Sequence, residues 1–202
     1  MSKKEMEDGR KLSKKEQRRQ QVAQQERSRK LRIIVPIVVF VLAFIALIAY
    51  RTFQPPIAGV TEVAAAPGSQ HDDQLQIAFG GLPPLGGPHA SRWQNCGIYD
   101  EPVLPQYAIH SLEHGAVWIS YHPDLPAAQI TALQEIARGD TKLLVSPYPD
   151  QTSPIVLTVW DRQLVVDGAE DERIAAFINR YRNRSGPEAN ASCADGVGTP
   201  IG

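Results

Sequence analysis

Sulfur is scarce in this chain: of 202 residues, two are Met and two are Cys. Both Met residues, Met1 and Met6, fall at the N-terminal end. A cuprous site built from thioether ligands is therefore excluded from everything that follows them. No glycine-rich phosphate loop, dinucleotide fingerprint or nucleophile elbow occurs, so none of the chemistries those motifs carry has a foothold here. No internal repeat is present.

Charge of one sign is in short supply at each end. Residues 1–32 carry twelve Lys/Arg and five Asp/Glu, and residues 33–202 carry nine and seventeen. The formal net charge of -1 thus hides +7 followed by -8. Between the two halves, Ile33 to Tyr50 contain no charge in eighteen residues. A bilayer core needs roughly 20 apolar residues in a helix, with about 17 as the lower limit. Leu31 and Phe53 extend the run, giving a transmembrane helix over 33–53, and Arg32 and Arg51 bracket it and can snorkel to the interfaces. Pro36 is expected in the first turn, where its missing N–H matters little. The cations place residues 1–32 in the cytoplasm by the positive-inside rule, and the rest outside. A cleaved signal peptide is the rival reading. The small-residue stretch Ala64-Ala65-Ala66 lies too far past the apolar run to serve as its cleavage site, and Pro67 follows it. An uncleaved signal anchor in the cell membrane fits better.

Apolar residues are nearly absent from residues 2–30, which are rich in Lys, Arg, Gln and Glu. Such a segment favours helix but cannot bury a core. Its cations attract anionic lipid at about 1 kcal/mol each. Membrane lipid is the expected partner of this tail and of residues 33–53, and nucleic acid is not. Residues 54–72 hold three Pro, two Gly and four Ala and read as a stalk. An outer domain is expected over 73–188, with a flexible tail over 189–202.

Inside that domain, Leu75–Phe79, Ala116–Tyr121, Lys142–Ser146, Ile155–Trp160 and Gln163–Val166 have strand character. Pro126–Arg138 and Asp171–Arg182 have apolar residues at helical spacing. Pro105 permits a further helix from Gln106 to about His114. The order after that helix is βαβββα. It describes an α+β fold, a small sandwich with a mixed or mostly antiparallel sheet. Trp93, Trp118 and Trp160 read as core anchors.

Histidine is sparse too, with five in all, yet two fall within His110-Ser111-Leu112-Glu113-His114-Gly115. His is the commonest metal ligand and the side chain that titrates near neutral pH. Three readings stay open. In the first, His89, His110 and His114 bind zinc or copper, with Cys96 or water in a fourth position. In the second, the cluster is a structural polar knot that pins the loop Gly80–His89, in a non-enzymatic module with an envelope-protein partner. In the third, H-x-x-E-H is a metallohydrolase signature with Glu113 as the base, and Glu170 or Glu172 supplies a further ligand. His71 and His122 read as bystanders. Cys96 and Cys193 lie where disulfides are permitted. A bridge would close about 97 residues, worth about 4–5 kcal/mol in the chain-entropy view. Free thiols, a metal thiolate or a Cys96 nucleophile paired with His110 or His114 are the alternatives.

Several of these motifs occur together: Pro83-Pro84, Gly87-Pro88-His89, Cys96-Gly97-Ile98-Tyr99-Asp100, the HSLEHG segment, Ser146-Pro147-Tyr148, Leu157-Thr158-Val159-Trp160, and Phe177-Ile178 through Gly186-Pro187-Glu188. The combination resembles the DUF3105 family over residues 73–188. The resemblance implies a bacterial, membrane-anchored protein with an outer domain and no assigned activity. It points to His89, Cys96, His110, Glu113 and His114. Relatives carry a Thr-Ser pair in the proline loop where this chain has Leu85 and Gly86.

Overall fold

The protein is described here from a computed structural model, which describes residues 14–53, 55–64 and 70–201. The first part of the basic leader and the Ala-Pro-Gly stretch 65–69 lie outside these. The chain divides into two compact units, residues 1–55 and 56–202.

The first unit holds helix α1, Lys14–Thr52. It is long and apolar enough to cross a membrane, with a mean hydropathy of 3.1 over its most apolar window. Its apolar side chains are unburied on every face. Pro36 sits inside the helix rather than in its first turn, because the leader's helix formers start α1 upstream. There it removes one intrahelical hydrogen bond.

The second unit is built on six strands: β1 (Val60–Glu62), β2 (Gly97–Ile98), β3 (Val117–Tyr121), β4 (Leu143–Pro147), β5 (Ile155–Val159) and β6 (Arg162–Val166). Their spatial order is β1-β6-β5-β3-β4-β2. β3, β4 and β2 run parallel, while β5, β6 and β1 pair antiparallel. The sheet is therefore mixed and the fold is α+β. Strand alternation sorts the side chains onto two faces. Val117, Ile119, Val145 and Leu157 join Leu133, Phe177 and Ile178 of α3 (Ala127–Ala137) and α4 (Glu172–Tyr181). Trp118, Leu144, Tyr148 and Trp160 join Ile109 and Leu112 of α2 (Pro105–Glu113).

The second face is also where the sheet turns polar. Ser120, Ser146 and Thr158 point to it and are satisfied internally. Trp118 Nε1 donates to Ser146 Oγ (2.9 Å), and Gln163 Nε2 donates to Thr158 Oγ1 (3.0 Å) and to the Pro83 carbonyl (2.8 Å). Burying these groups costs little once each has a partner.

Three sequence expectations need correction. Residues 60–62, expected in a stalk, form edge strand β1 against β6. Leu75–Phe79 alternates but is not a strand. Leu75 N turns back to Asp72 O and Ile77 N donates to Gln106 Oε1, while Phe79 packs edge-on against Tyr148 and the following Gly80 N donates to Tyr148 Oη. The C-terminal stretch, expected as a flexible tail, is tied down. A disulfide joins Cys193 to Cys96, Val197 N donates to Trp93 O, and Ile201 N donates to Ile98 O.

The tie begins where residues 183–188 cross the end of α2. Asn183 N donates to Gly115 O (2.8 Å), and Glu188 N donates to Glu113 O (3.1 Å). Gly186 has φ +97°, and a Cβ there would fall 2.6 Å from Leu112 O and closer still to Glu113 O. Gly139, by contrast, has φ +75° with open space around it. Gly139→Ala is expected to cost only the left-handed backbone penalty, about 1–2 kcal/mol. Gly186→Ala adds a clash with backbone and is expected to cost about 3 kcal/mol or more. Thermal melting of the two variants checks this; equal losses would contradict the crossing.

Candidate metal centre

Helix α2 carries the site. Pro105 opens it at N1, where no N–H is needed, and it ends after nine residues at Glu113, with His114 as C-cap and Gly115 at φ +84°. All but one residue of the helix is buried. It lies between the sheet and the irregular segments 70–96 and 183–201. A buried polar helix must have its polar groups met, and the histidines meet them in one pattern. His89 Nδ1 donates to Gly87 O (2.7 Å), His110 Nδ1 to Ala90 O (2.8 Å) and His114 Nδ1 to Ser192 O (2.6 Å). In each ring the proton is held on Nδ1, and Nε2 is left to face the interior. This is the outer-shell arrangement that orients histidine as a metal ligand.

The site gathers His71, which no local sequence pattern singles out. Residues 70–72 lie beside His89 as a single parallel bridge, with Asp72 N on His89 O (2.8 Å) and His89 N on Gln70 O (3.1 Å). Asp73 fastens the segment by accepting from Ser91 N and Oγ, and these bonds hold its carboxyl below the usual carboxylate range. The His71 ring then stacks on His110 at 4.8 Å and meets His89 edge-on at 4.9 Å. His122 stays in its turn beside Asp124, as a bystander.

His71, His89, His110 and Glu113 each present a ligand atom within 4.8 Å of the others. His89 Nε2 is 2.9 Å from Glu113 Oε2, and His71 Nε2 is 3.6 Å from the same oxygen. Donors around a tetrahedral zinc at 2.0–2.1 Å stand about 3.3–3.4 Å apart. The two distances bracket that value. His89 and Glu113 are both fully buried, and Glu113 Oε1 has no hydrogen-bond partner.

The His89–Glu113 contact constrains charge. Nδ1 of His89 needs its proton for Gly87 O. A neutral ring would then turn its Nε2 lone pair on a carboxylate oxygen at 2.9 Å. Two acceptors do not sit that close unaided. A cation bound between the two would be met by both. His110 is different: burial, its largest influence, together with the nearby His114, His89 and His71, pushes its pKa below the ordinary histidine value, against the opposing Ala90 bond.

His114 falls into a second group, with His110 and Glu188, whose ligand atoms again lie within 4.8 Å. Its Nε2 is 3.4 Å from Glu188 Oε2. The expected triad of His89, His110 and His114 is thus divided between two groups that share His110. Cys96 is bridged to Cys193 and has no thiolate to offer a metal or an acyl group. Glu170 and Glu172 lie at the start of α4, which packs on the opposite face of the sheet. Glu113 is fully buried among the donor atoms of His71, His89 and His110. Trp93, expected in the core, is half-buried and lies 4.7 Å from the His114 ring. Trp160 closes the other side, 5.9 Å from His89.

No curated protein and no solved structure matches the chain. Residues 70–195 match the family described as "Protein of unknown function (DUF3105)", a span that takes in His71 and Cys193 beyond the family motifs seen in the sequence. On that match, which covers well over half its length, the chain belongs to the DUF3105 family.

Proposed function

We propose that the domain is a non-enzymatic metal-binding module that takes a divalent transition ion, zinc or copper(II), on His71, His89, His110 and Glu113. The observation that carries this reading is the buried Glu113 carboxylate. One oxygen lies 2.9 Å from His89 Nε2, and the other has no partner among the described residues. An unsatisfied buried carboxylate oxygen is costly, and a metal ion at this point meets it. Three imidazoles and a carboxylate suit zinc or copper(II) rather than a hard ion such as magnesium. The structural-knot reading has its own support, because His89 ties the proline loop to α2 through Glu113. A knot selected for stability alone has no use for the orphaned oxygen.

Full-length protein in detergent, incubated with Zn²⁺ or Cu²⁺ and freed of excess, is expected to retain close to one ion per chain by elemental mass spectrometry. Glu113→Gln should weaken binding beyond the roughly 10–100-fold that an outer-shell loss causes. A metal-free wild type, with Glu113→Gln merely less stable, would contradict the proposal in favour of the knot.

We also propose that α1 anchors this module in the cell membrane with the basic leader inside and the domain outside. The unburied apolar helix and the cation-rich side that precedes it support this. So does the Cys96–Cys193 bridge, a feature of oxidising compartments. In intact cells a C-terminal epitope should be reachable by added protease. Protection until the cells are lysed would contradict this topology.

A further inference from the structure

The two ligand groups share one residue. His110 Nδ1 is committed to Ala90 O at 2.8 Å, so its Nε2 alone can reach a metal. One nitrogen lone pair holds one ion. The inner group, His71, His89, His110 and Glu113, and the outer group, His110, His114 and Glu188, therefore cannot both be filled. The outer group shows the same construction as the inner one. His114 is oriented by Nδ1–H donation to Ser192 O, and its Nε2 faces a carboxylate oxygen at 3.4 Å. The groups differ in exposure: the Glu188 side chain is 52% exposed, against 0% for Glu113.

Resting on the metal reading above, we propose that the domain holds a single ion in two alternating positions with His110 as the shared pivot. The outer position, with three donors and a solvent-facing carboxylate, takes the ion from its surroundings. The inner position, with four donors and a buried carboxylate, keeps it. Passage between them breaks the bonds to His114 and Glu188 and forms those to His71, His89 and Glu113, while the bond to His110 persists. Such a pair of positions suits a module that receives a borderline divalent ion from small N- and O-donor chelates and releases it again. Neither position then has to be stripped to a bare ion during exchange.

The structure leaves a competing route. The His71 side chain is 38% exposed, so an ion could reach the inner group directly past it. Loading kinetics separate the two routes. Full-length protein in detergent is mixed with Zn²⁺ in a stopped-flow instrument, and the remaining free ion is followed with a fluorescent chelator. Bound zinc at saturation is counted separately. Wild type should saturate at one ion per chain. Glu188→Gln, a change on a half-exposed side chain, removes an outer donor and leaves the four inner donors in place, so saturation should stay at one ion per chain. The variant should load about tenfold or more slowly, the size of effect ordinary for an association step. His71→Gln should weaken binding and leave the loading rate close to wild type. Saturation at two ions per chain, or Glu188→Gln loading at the wild-type rate, would overturn the exchange while leaving the metal site standing. A wild type that takes up no zinc would end both.

Discussion

Glu113 is the point on which the domain's architecture turns. A carboxylate fully removed from water needs partners, and a helix removed from water needs its ends met. The chain answers both demands with the same residues. His89 reaches Glu113 from the proline loop, and His71 reaches it from the segment bridged to His89. Meanwhile the backbone carbonyls of Glu113, His114 and Gly115 accept from Glu188 N, Lys142 Nζ and Asn183 N. Lys142 is itself buried enough for its pKa to be pushed down, and it spends its donors on the His114 and Ala191 carbonyls. The polar helix is thus buried only because three separate stretches of chain fold over it.

Those stretches also set the histidine rings. Each Nδ1 of His89, His110 and His114 is fixed by a carbonyl from a segment that has no regular structure of its own. The disulfide is part of this arrangement. Cys193 follows Ser192, whose carbonyl orients His114, and Cys96 N donates to Cys193 O at 2.8 Å. Closing a 97-residue loop at that point limits the unfolded chain by about 4–5 kcal/mol in the entropic view. It also holds the C-terminal segment where Glu188 can approach His114. Irregular backbone around a rigid helix and sheet is a common way to build a site, since the scaffold supplies precision and the loops supply reach.

Much of this was legible in the sequence. The apolar run, the charge segregation and the βαβββα order follow from composition and periodicity, and α2 was bounded to within a residue by Pro105 and Gly115. His89, His110, Glu113 and His114 stand out because histidine is otherwise sparse. What escaped detection has no periodic signal. β1 and β2 are three and two residues long, too short to alternate. Residues 189–201 have the composition of a tail, and only tertiary bonds order them. His71 joins the site through one isolated bridge to a residue eighteen positions away, and no local pattern encodes such a pairing. Trp93 looked like any other core aromatic until the fold set it against His114.

X-ray absorption at the zinc edge on the full-length, zinc-loaded protein reads the ligands directly. A site on His71, His89, His110 and Glu113 predicts nitrogen and oxygen neighbours at about 2.0–2.1 Å, with the outer-shell scattering of three imidazole rings. A spectrum of light-atom neighbours without imidazole scattering would mean that zinc sits on surface carboxylates, and that the buried cluster around Glu113 is not a metal site.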